Sequence, residues 1–269
     1  MVVQHNLTAM NSNRMLGITT ASQAKSTEKL SSGYKVNRAA DDAAGLAISE
    51  KMRRQVRGLT QAAANAQDGV SMVQTAEGAL NEVHDMLQRI NELSVKGENG
   101  TLTSSDRSYI NSEVKQLMSE INRVASTTTF NEKNLLTGSC SNVSLQVGAE
   151  TSQHITLKIT SMNCSGLGLS GSVSSASTAG ALNKSCKKAI AALNKQRSDL
   201  GAVQNRLEHT INNLNNIVEN TTSAESAIRD TDMATEMVRY ANNNILAQAG
   251  QAMLAQANQS NQGVLSLLG

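Results

Sequence analysis

Several residue patterns in this sequence could support chemistry, but their surroundings argue against it. The spacing Gly166-x-Gly168-x-x-Gly171 matches the letters of a dinucleotide-binding turn. It lies in a Ser/Gly-rich stretch that opens no predicted helix, and no acidic residue follows about twenty positions later, as such a site needs. The four histidines are dispersed, and no serine or cysteine stands beside an evident base. The sequence therefore predicts no enzyme, no cofactor and no metal site.

Three thiols and a pair of adjacent acids also favour structural roles. Cys140, Cys164 and Cys186 are an odd number, without Cys-x-x-Cys spacing or metal-like histidines nearby. We expect small buried or partly exposed thiols; the alternative is a bridge between Cys140 and Cys164, if the chain folds back between them. Asp41 and Asp42 precede the run AAGLAI, where carboxylates cap a helix and interact with its N-terminal dipole. Capping explains these acids better than a metal site or an acid-base pair.

The composition favours long helices with aliphatic cores. The 269 residues include no Pro, no Trp, one Phe and three Tyr. Without Pro, no residue interrupts a helix by removing a backbone donor. A net charge of +2, with basic residues scattered among acids, gives no electrostatic basis for binding nucleic acid. The sequence contains no run of about twenty apolar residues, so no membrane span is expected. Its N-terminus lacks a basic flank followed by an apolar core, so no general secretion signal is expected.

Two seams of apolar residues at three-four spacing indicate a coiled coil. One comprises Leu182, Cys186, Ala189, Leu193, Gln196, Leu200, Val203, Leu207, Thr210, Leu214 and Ile217. The other comprises Met52, Val56, Leu59, Ala63, Ala66, Val70 and Val73 and, after one slip, Leu80, Val83, Leu87 and Ile90. A third helix is expected from a cap at Ser105 to about Ser126, after the helix-ending glycines of KGENGTLTSS. Packed antiparallel, these helices would form a rod.

The period changes between Asn131 and Gly180. Two runs alternate apolar and polar residues on either side of the polar turn GAETSQ, which predicts a β-hairpin. Their apolar members are Val143, Leu145, Val147, Ile155, Leu157 and Ile159. The run SMNCSGLGLSGSVSSASTAG that follows has little to bury and is expected to be a loop leading into the last long helix of the rod. The predicted fold class is mainly α, an antiparallel long-helix coiled-coil bundle with a small β-hairpin.

Both chain ends are nearly free of charge. Residues 240–269 contain no Asp, Glu, Lys or Arg, while ten of them are Asn or Gln. Through residue 24 the only charge beyond His5 is Arg14. Such segments suit neither water, where a helix keeps a charged face, nor lipid, where each amide must be desolvated. We expect the two ends to form weak paired helices that pack against other copies of the protein.

Long stretches at both ends of the sequence resemble one known family. The N-terminal stretches are LSSGYKVNRAADDAAGLAISE, NAQDGVSMVQTAEGALNEVHDMLQRINELSVK and NRVASTTTFNEKNLL, and the C-terminal ones are IRDTDMATEMV and QANQSNQGVLSLL. These motifs are similar to the two terminal regions of bacterial flagellin, in the same order and over some four-fifths of the chain. Only the hairpin and the Ser/Gly loop lie between them, so the resemblance implies a short, core-only flagellin without large variable outer domains.

The resemblance implies a division of the chain into five segments. Residues 1–43 would be an N-terminal inner-core helix and linker, 44–130 the N-terminal outer-core helices, 131–180 the hairpin and loop, 181–226 the C-terminal outer-core helix, and 227–269 the C-terminal inner-core helix. The two inner-core helices would pair and pack inside a filament. The side chains expected to make that packing are Val3, Leu7, Met10, Leu246, Ala249, Met253, Ala257, Val264, Leu265 and Leu268.

The resemblance also implies a function, partners and a location. A flagellin is exported unfolded through the flagellar type III apparatus and polymerises with copies of itself into the extracellular helical filament used for swimming. Its expected partners include the flagellar cap, the hook-junction proteins and an export chaperone at the C-terminal helix. No nucleic acid or membrane is expected. Two alternatives remain open at this point: a hook-filament junction protein related to flagellin, and an unrelated coiled-coil scaffold.

One recognition site is implied by the same resemblance. The segment LQRINELSV is similar to a flagellin surface that Toll-like receptor 5 binds, and it places Arg89 and Leu93 four residues apart on one helix face. Glu113 is expected on the adjoining helix. The alternative is that this surface packs subunit against subunit and that Arg89 pairs with a neighbouring acid.

Overall fold

The computed structural model describes residues 6–268, with side chains through residue 259. Its elements are α1 Leu7–Ser32, α2 Ala43–Glu98, α3 Ser104–Thr127, β1 Thr129–Phe130, β2 Lys133–Asn134, β3 Val143–Gln146, β4 His154–Leu157, α4 Ala176–Arg229 and α5 Met233–Leu268. The chain divides into two compact units, a terminal unit formed by Met1–Val56 with Glu219–Gly269 and a middle unit formed by Arg57–Val218. No helix within residues 6–268 is long and apolar enough to cross a membrane.

In the middle unit, α2 and α4 pack antiparallel, as the two seams predict. The Cys186 thiol on α4 donates to the Leu87 carbonyl oxygen on α2 at 3.0 Å. Further along α4, Arg197 lies 3.8 Å from Glu77. Because the α2 partner moves back along the chain as α4 advances, the two helices run in opposite directions. The α4 seam positions that are buried are Leu182, Cys186, Ala189, Leu193, Gln196, Leu200, Leu207 and Leu214.

The one buried amide of the α4 seam, Gln196, has defined partners. Its Oε1 accepts from the Thr160 hydroxyl at 3.0 Å, and its Nε2 donates to the Lys158 carbonyl oxygen at 2.8 Å. Both partners lie in the segment that follows β4. A polar residue at this seam position therefore fixes where the post-hairpin segment lies against α4, since an unpaired buried amide would be costly.

Two helices begin earlier than the sequence predicts. Helix α3 is capped by Thr103 and not by Ser105, because Thr103 and Asp106 form a reciprocal capping box. The Thr103 N–H donates to Asp106 Oδ2 at 3.0 Å. Helix α4 begins at Ala176, ahead of its seam, and the Thr178 N–H donates to the Ser175 hydroxyl. In both helices, a hydroxyl-containing residue that precedes the apolar repeat caps the helix and sets the residue at which it begins.

The predicted hairpin is confirmed, and a smaller one precedes it. Strands β3 and β4 are antiparallel, with Leu145 opposite Ile155. Strands β1 and β2 are joined by Asn131 and Glu132, whose φ values of 47° and 64° are left-handed. Two successive left-handed residues are typical of a tight hairpin turn. Two-residue strands are too short to give an alternating pattern, so this hairpin escaped prediction.

The expectation that the Ser/Gly loop has little to bury is wrong. Its apolar side chains lie in the core of the middle unit, and they are Met162, Cys164, Leu167, Leu169 and Val173. The backbone is fixed by side-chain amides of α3: Asn122 Oδ1 accepts from the Cys164 N–H and Asn111 Oδ1 from the Val173 N–H, both at 3.0 Å. The apolar residues follow neither a helix nor a strand period, which is why composition alone predicted an empty loop.

In the terminal unit, α1 and α5 pair antiparallel, as expected. The Asn6 side-chain amide donates to the Ala257 carbonyl oxygen at 2.9 Å, while Tyr34, just after α1, forms a β-bridge with Asp230, just before α5. The Thr231 N–H also donates to the Gly33 carbonyl oxygen at 3.0 Å. The pair is thus tied at both ends.

Arg229 completes a joint next to this bridge. Its guanidinium carbon lies 4.6 Å from the centre of the Tyr34 ring, and its Nη1 lies 2.8 Å from Glu50 Oε1 on α2. The same Nη1 reaches the Ser49 hydroxyl at 3.4 Å and Glu225 at 4.0 Å. The hydrogen bond from Arg229 lowers the pKa of the Glu50 carboxyl. We call these five residues the Arg229 joint.

The two adjacent acids have separate structural roles. Helix α2 begins directly after Asp42, and Asp42 Oδ1 accepts from the Gly45 N–H at 2.9 Å, as a helix cap does. Asp41 instead accepts from the Arg38 N–H at 3.0 Å in the preceding loop, and this bond lowers the pKa of Asp41. The capping interpretation is confirmed for Asp42 alone.

Candidate assembly and recognition surfaces

The α1–α5 pair exposes large apolar side chains from both helices. Leu7 and Met10 on α1 are 69% and 65% exposed, and Leu246 and Met253 on α5 are 58% and 63% exposed. Further exposed apolar side chains of these helices are Met15, Ile18, Met233, Met237, Val238 and Ile245. A subunit that functions without partners rarely exposes so many large apolar side chains, so this surface is a candidate contact with other protein.

The seam between the two helices is made mainly of small and polar residues. Of the described α1 side chains only Ser26 is buried, and of those on α5 only Glu236 and Ala247. Gly250 faces Leu16 so closely that a Cβ at position 250 would lie 3.3 Å from Leu16 Cδ1. Small residues permit this approach, but they remove little apolar area from water. Mutual burial within the pair is therefore slight.

A groove of about 310 Å³ runs along this seam. It is lined by Asn11, Ser12, Met15, Leu16, Thr19, Leu246, Ala249, Gly250 and Met253. The only charge on this stretch of α1, Arg14, donates to Asn11 Oδ1 of its own helix at 2.9 Å. The groove thus offers apolar walls and neutral amides without a fixed charge.

The described inner-core residues predicted from the sequence all lie on this pair. Ala249 is exposed like the four large side chains described above, and Ala257 is half-buried under the bond from Asn6. Val3 and the side chains of Val264, Leu265 and Leu268 lie outside the described residues. The packing role assigned to these positions stays a prediction.

The second candidate surface lies on α2 and α3 of the middle unit. Arg89 Nε and Nη2 both lie 2.9 Å from Glu113 Oε1, and Nη1 lies 3.2 Å from Glu92 on its own helix. The hydrogen bonds that Arg89 donates to Glu113 and, to a smaller extent, to Glu92 raise the pKa of Arg89 above its usual range. Both Arg89 and Glu113 are about half exposed, so the structure brings them together on an accessible face.

Leu93 does not share that face. Its side chain is 4% exposed and packs in the main hydrophobic cluster of the middle unit. The four-residue spacing from Arg89 predicted a shared exposed face, but one turn further along α2 the side chain is already inside the core. Leu93 therefore packs beneath the surface and offers no side chain to a partner, whereas the nearby Val95 is exposed.

The residues that could have done chemistry have structural partners. All three thiols are free and buried, and burial raises the pKa of Cys164 and raises that of Cys186 to about 11. In the glycine-rich loop, the Gly166 N–H donates to Asn163 Oδ1 at 2.7 Å and opens no helix. No group of three His, Cys, Asp or Glu side chains that could hold a metal occurs among the described residues.

Comparison with known proteins decides between the open alternatives. A family model of the bacterial flagellin N-terminal helical region matches residues 3–141, and one of the C-terminal helical region matches residues 184–268. The chain belongs to the bacterial flagellin family. It is 50% identical over 275 residues to the flagellin of Halalkalibacterium halodurans and 45% identical over 303 residues to that of Bacillus subtilis, with each chain fully covered.

Further flagellins support the same assignment. Flagellin FlaB2 of Treponema pallidum is 47% identical over 285 residues, again with both chains fully covered. The crystal structure of Bacillus cereus flagellin matches with a TM-score of 0.52 at 28% identity, covering 56% of this chain and 88% of that one. The chain is therefore a structural subunit of the extracellular flagellar filament, and its length suits a short, core-only flagellin. This family is not that of an unrelated coiled-coil scaffold, and the full-length identity to flagellins favours a filament subunit over a junction protein.

Proposed function

We propose that this flagellin polymerises with copies of itself through the exposed apolar side chains of the α1–α5 pair. One observation carries the proposal: large apolar residues of both helices are exposed, and Met15, Leu246 and Met253 line an open groove along a seam that buries few side chains. Burying a Leu or Met side chain contributes about 1.5–3 kcal/mol. Several such side chains per subunit offset the cost of association only when neighbouring subunits cover them together.

The absence of charge on α5 supports a packed or channel-lining position for this helix. After Arg239 it offers only apolar side chains, hydroxyls and amides, and Gln256 and Gln259 are exposed. Asn and Gln can hydrogen-bond to neighbours without desolvating a charge. Before assembly the same face of α5 would suit an export chaperone, and at the filament ends it would meet the cap and the hook-junction proteins.

A charge placed on the pair tests the assembly surface. Leu246→Asp alters an exposed side chain, so the monomer should keep its fold, but each contact would then bury an unpaired carboxylate. We expect seeded fibre growth, followed by electron microscopy, to fall at least about a hundredfold. The matched control, Thr151→Asp, adds the same charge to the exposed β3–β4 turn and should leave growth nearly unchanged. Normal growth of Leu246→Asp would refute the proposal.

We also propose that free monomers bind Toll-like receptor 5 through the face that carries Arg89 and Glu113. The observation that favours it is the accessible ion pair joining α2 to α3, which presents a rigid charged feature to a partner. Arginine held by a carboxylate is a frequent anchor of protein interfaces. Subunit packing within the filament is the competing use of this face, and the two uses are compatible because one concerns monomers.

Reversing the charge at Arg89 tests whether the receptor binds this face. Arg89→Glu should weaken receptor binding at least about tenfold, because it removes the arginine anchor and its ion pair with Glu113. Arg123→Glu is the control: Arg123 also sits in an exposed ion pair, with Glu120 on α3. Both variants should fold normally, since exposed pairs contribute at most about 1 kcal/mol. Equal loss of binding by both, or by neither, would contradict the proposed face.

A further inference from the structure

The exposed methionines that the structure describes are confined to two helices of one unit. Every methionine that is exposed among the described side chains lies on α1 or α5: Met10, Met15, Met233, Met237 and Met253. In the middle unit, Met72 and Met162 are 5% and 3% exposed, and Met86 and Met118 are partly buried against the core. The terminal pair therefore displays thioethers on the surface proposed for assembly, while the core keeps its own covered.

This placement has a chemical consequence. Hydrogen peroxide transfers one oxygen atom to a thioether sulfur: an S–O bond forms, the O–O bond breaks, the sulfur loses two electrons and the peroxide leaves as water. The product, methionine sulfoxide, is polar and disrupts methionine-rich contacts. Exposure governs susceptibility, so the five terminal methionines should react well before Met72 and Met162.

The thiols do not compete for the oxidant. All three are buried, and each donates to a backbone carbonyl oxygen: Cys140 to Asn134, Cys164 to Met118 and Cys186 to Leu87. Peroxide reacts with an accessible thiolate, which none of these residues offers in the folded chain. Limited oxidation of the folded subunit is thus directed to the α1–α5 pair.

We propose that the exposed methionines of α1 and α5 are a redox-sensitive modification site whose oxidation to sulfoxide blocks subunit addition. The site rests on the proposed function, because it acts on the same contacts. Oxidation adds a polar S=O group to side chains that must be desolvated on assembly, and it leaves the monomer fold intact because those side chains contribute little to the core. Subunits already covered by neighbours are protected.

Peroxide treatment of folded monomer, followed by seeded growth, tests this site. Mass spectrometry should find sulfoxide at Met10, Met15, Met233, Met237 and Met253 first, with helix content unchanged by circular dichroism. The treated protein should elongate at least about tenfold more slowly. Methionine sulfoxide reductases of both epimer specificities should restore the rate without any substitution. Growth of fully sulfoxide-bearing protein at the untreated rate would overturn the inference.

Two matched variants locate the effect. Replacing the five exposed methionines by Leu, which nearly conserves volume, should give a chain whose growth is unchanged by peroxide. Replacing Met72 and Met162 by Leu should leave the sensitivity of the wild-type chain intact. If untreated Leu246→Asp grows normally, the proposed function fails. If that variant is blocked but oxidised wild-type chain grows normally, only the redox site fails. If the variant with five Met→Leu replacements folds poorly, reductase treatment of the oxidised wild-type chain still tests whether sulfoxide formation causes the loss of growth.

Discussion

Amide side chains of the middle unit fix segments that have no repeating pattern of their own. Gln196 binds the segment after β4, while Asn111 and Asn122 on α3 accept from the glycine-rich loop. The sequence marked Gln196 as a seam position but gave no sign of its partner. A single amide carries no periodicity, and its partner lies 36 to 62 residues away in the three cases. Long-range pairs of this kind need the assembled fold.

The thiol of Cys186 makes stability depend on pH at the alkaline end. Burial raises its folded-state pKa to about 11, above the usual value of 9.0. Between these values the unfolded thiol has lost its proton and the folded one has kept it, so the free energy of unfolding falls as pH rises. Urea unfolding at about pH 8 and about pH 10 should show roughly 1 kcal/mol more loss for the wild-type chain than for Cys186→Ala. An identical pH dependence would contradict the raised pKa.

At the scale of elements, the long helices follow directly from the sequence, and their starts do not. The three-four spacing predicted the α2–α4 pair because burial repeats along both helices, and an alternating period predicted β3 and β4. The caps at Thr103 and Ser175 precede the apolar pattern, so periodicity placed both starts too late. Leu93 was misplaced for a related reason: spacing gives the face of a helix, but only packing shows which positions the rest of the fold covers.

Two glycines of α2 provide an internal comparison of packing. A Cβ at Gly97 would meet the Cγ1 of buried Val173, whose β-branched side chain has little freedom to move, whereas Gly78 has no such neighbour within 4 Å. We expect Gly97→Ala to lower the free energy of unfolding by about 1–3 kcal/mol and Gly78→Ala to raise it by about 0.5–1 kcal/mol. Chemical denaturation of both variants checks this. Stabilisation by Gly97→Ala would show that the loop can move away.

Over the whole molecule, apolar packing is concentrated in one unit. The three hydrophobic clusters found among the described residues, built around Leu87, Leu207 and Leu214, all belong to the middle unit. The terminal unit has long helices with little buried between them. The lack of charge at both chain ends predicted that the terminal helices would bury little against each other. The function was predicted from the long sequence motifs shared with flagellins. Leu7, Met10, Leu246, Ala249 and Met253, which the family resemblance assigned to the packing surface, are exposed. The other exposed side chains could not be predicted, because the apolar residues of α1 and α5 do not form a single stripe.

This asymmetry should appear in hydrogen exchange of the dilute monomer. Amides of α1 and α5 should exchange at least about a hundredfold faster than those of the middle unit, since local opening costs little where few apolar contacts are lost. On polymerisation, the α1 and α5 amides should slow while those buried in the middle unit change little. Mass spectrometry of peptides from both forms measures this. Uniformly slow exchange in the monomer would contradict the weak-pair description.

The Arg229 joint bears on how a rotating filament carries mechanical load. Torque acting on α1 or α5 reaches the points where each helix ends, and there the Tyr34–Asp230 bridge and the Thr231–Gly33 hydrogen bond join the two backbones. Arg229 adds a cation held by an aromatic ring and by Glu50, so twisting one helix alone must strain several bonds at once. The two end helices of a subunit are thereby coupled, so that a rotation of one is transmitted to the other.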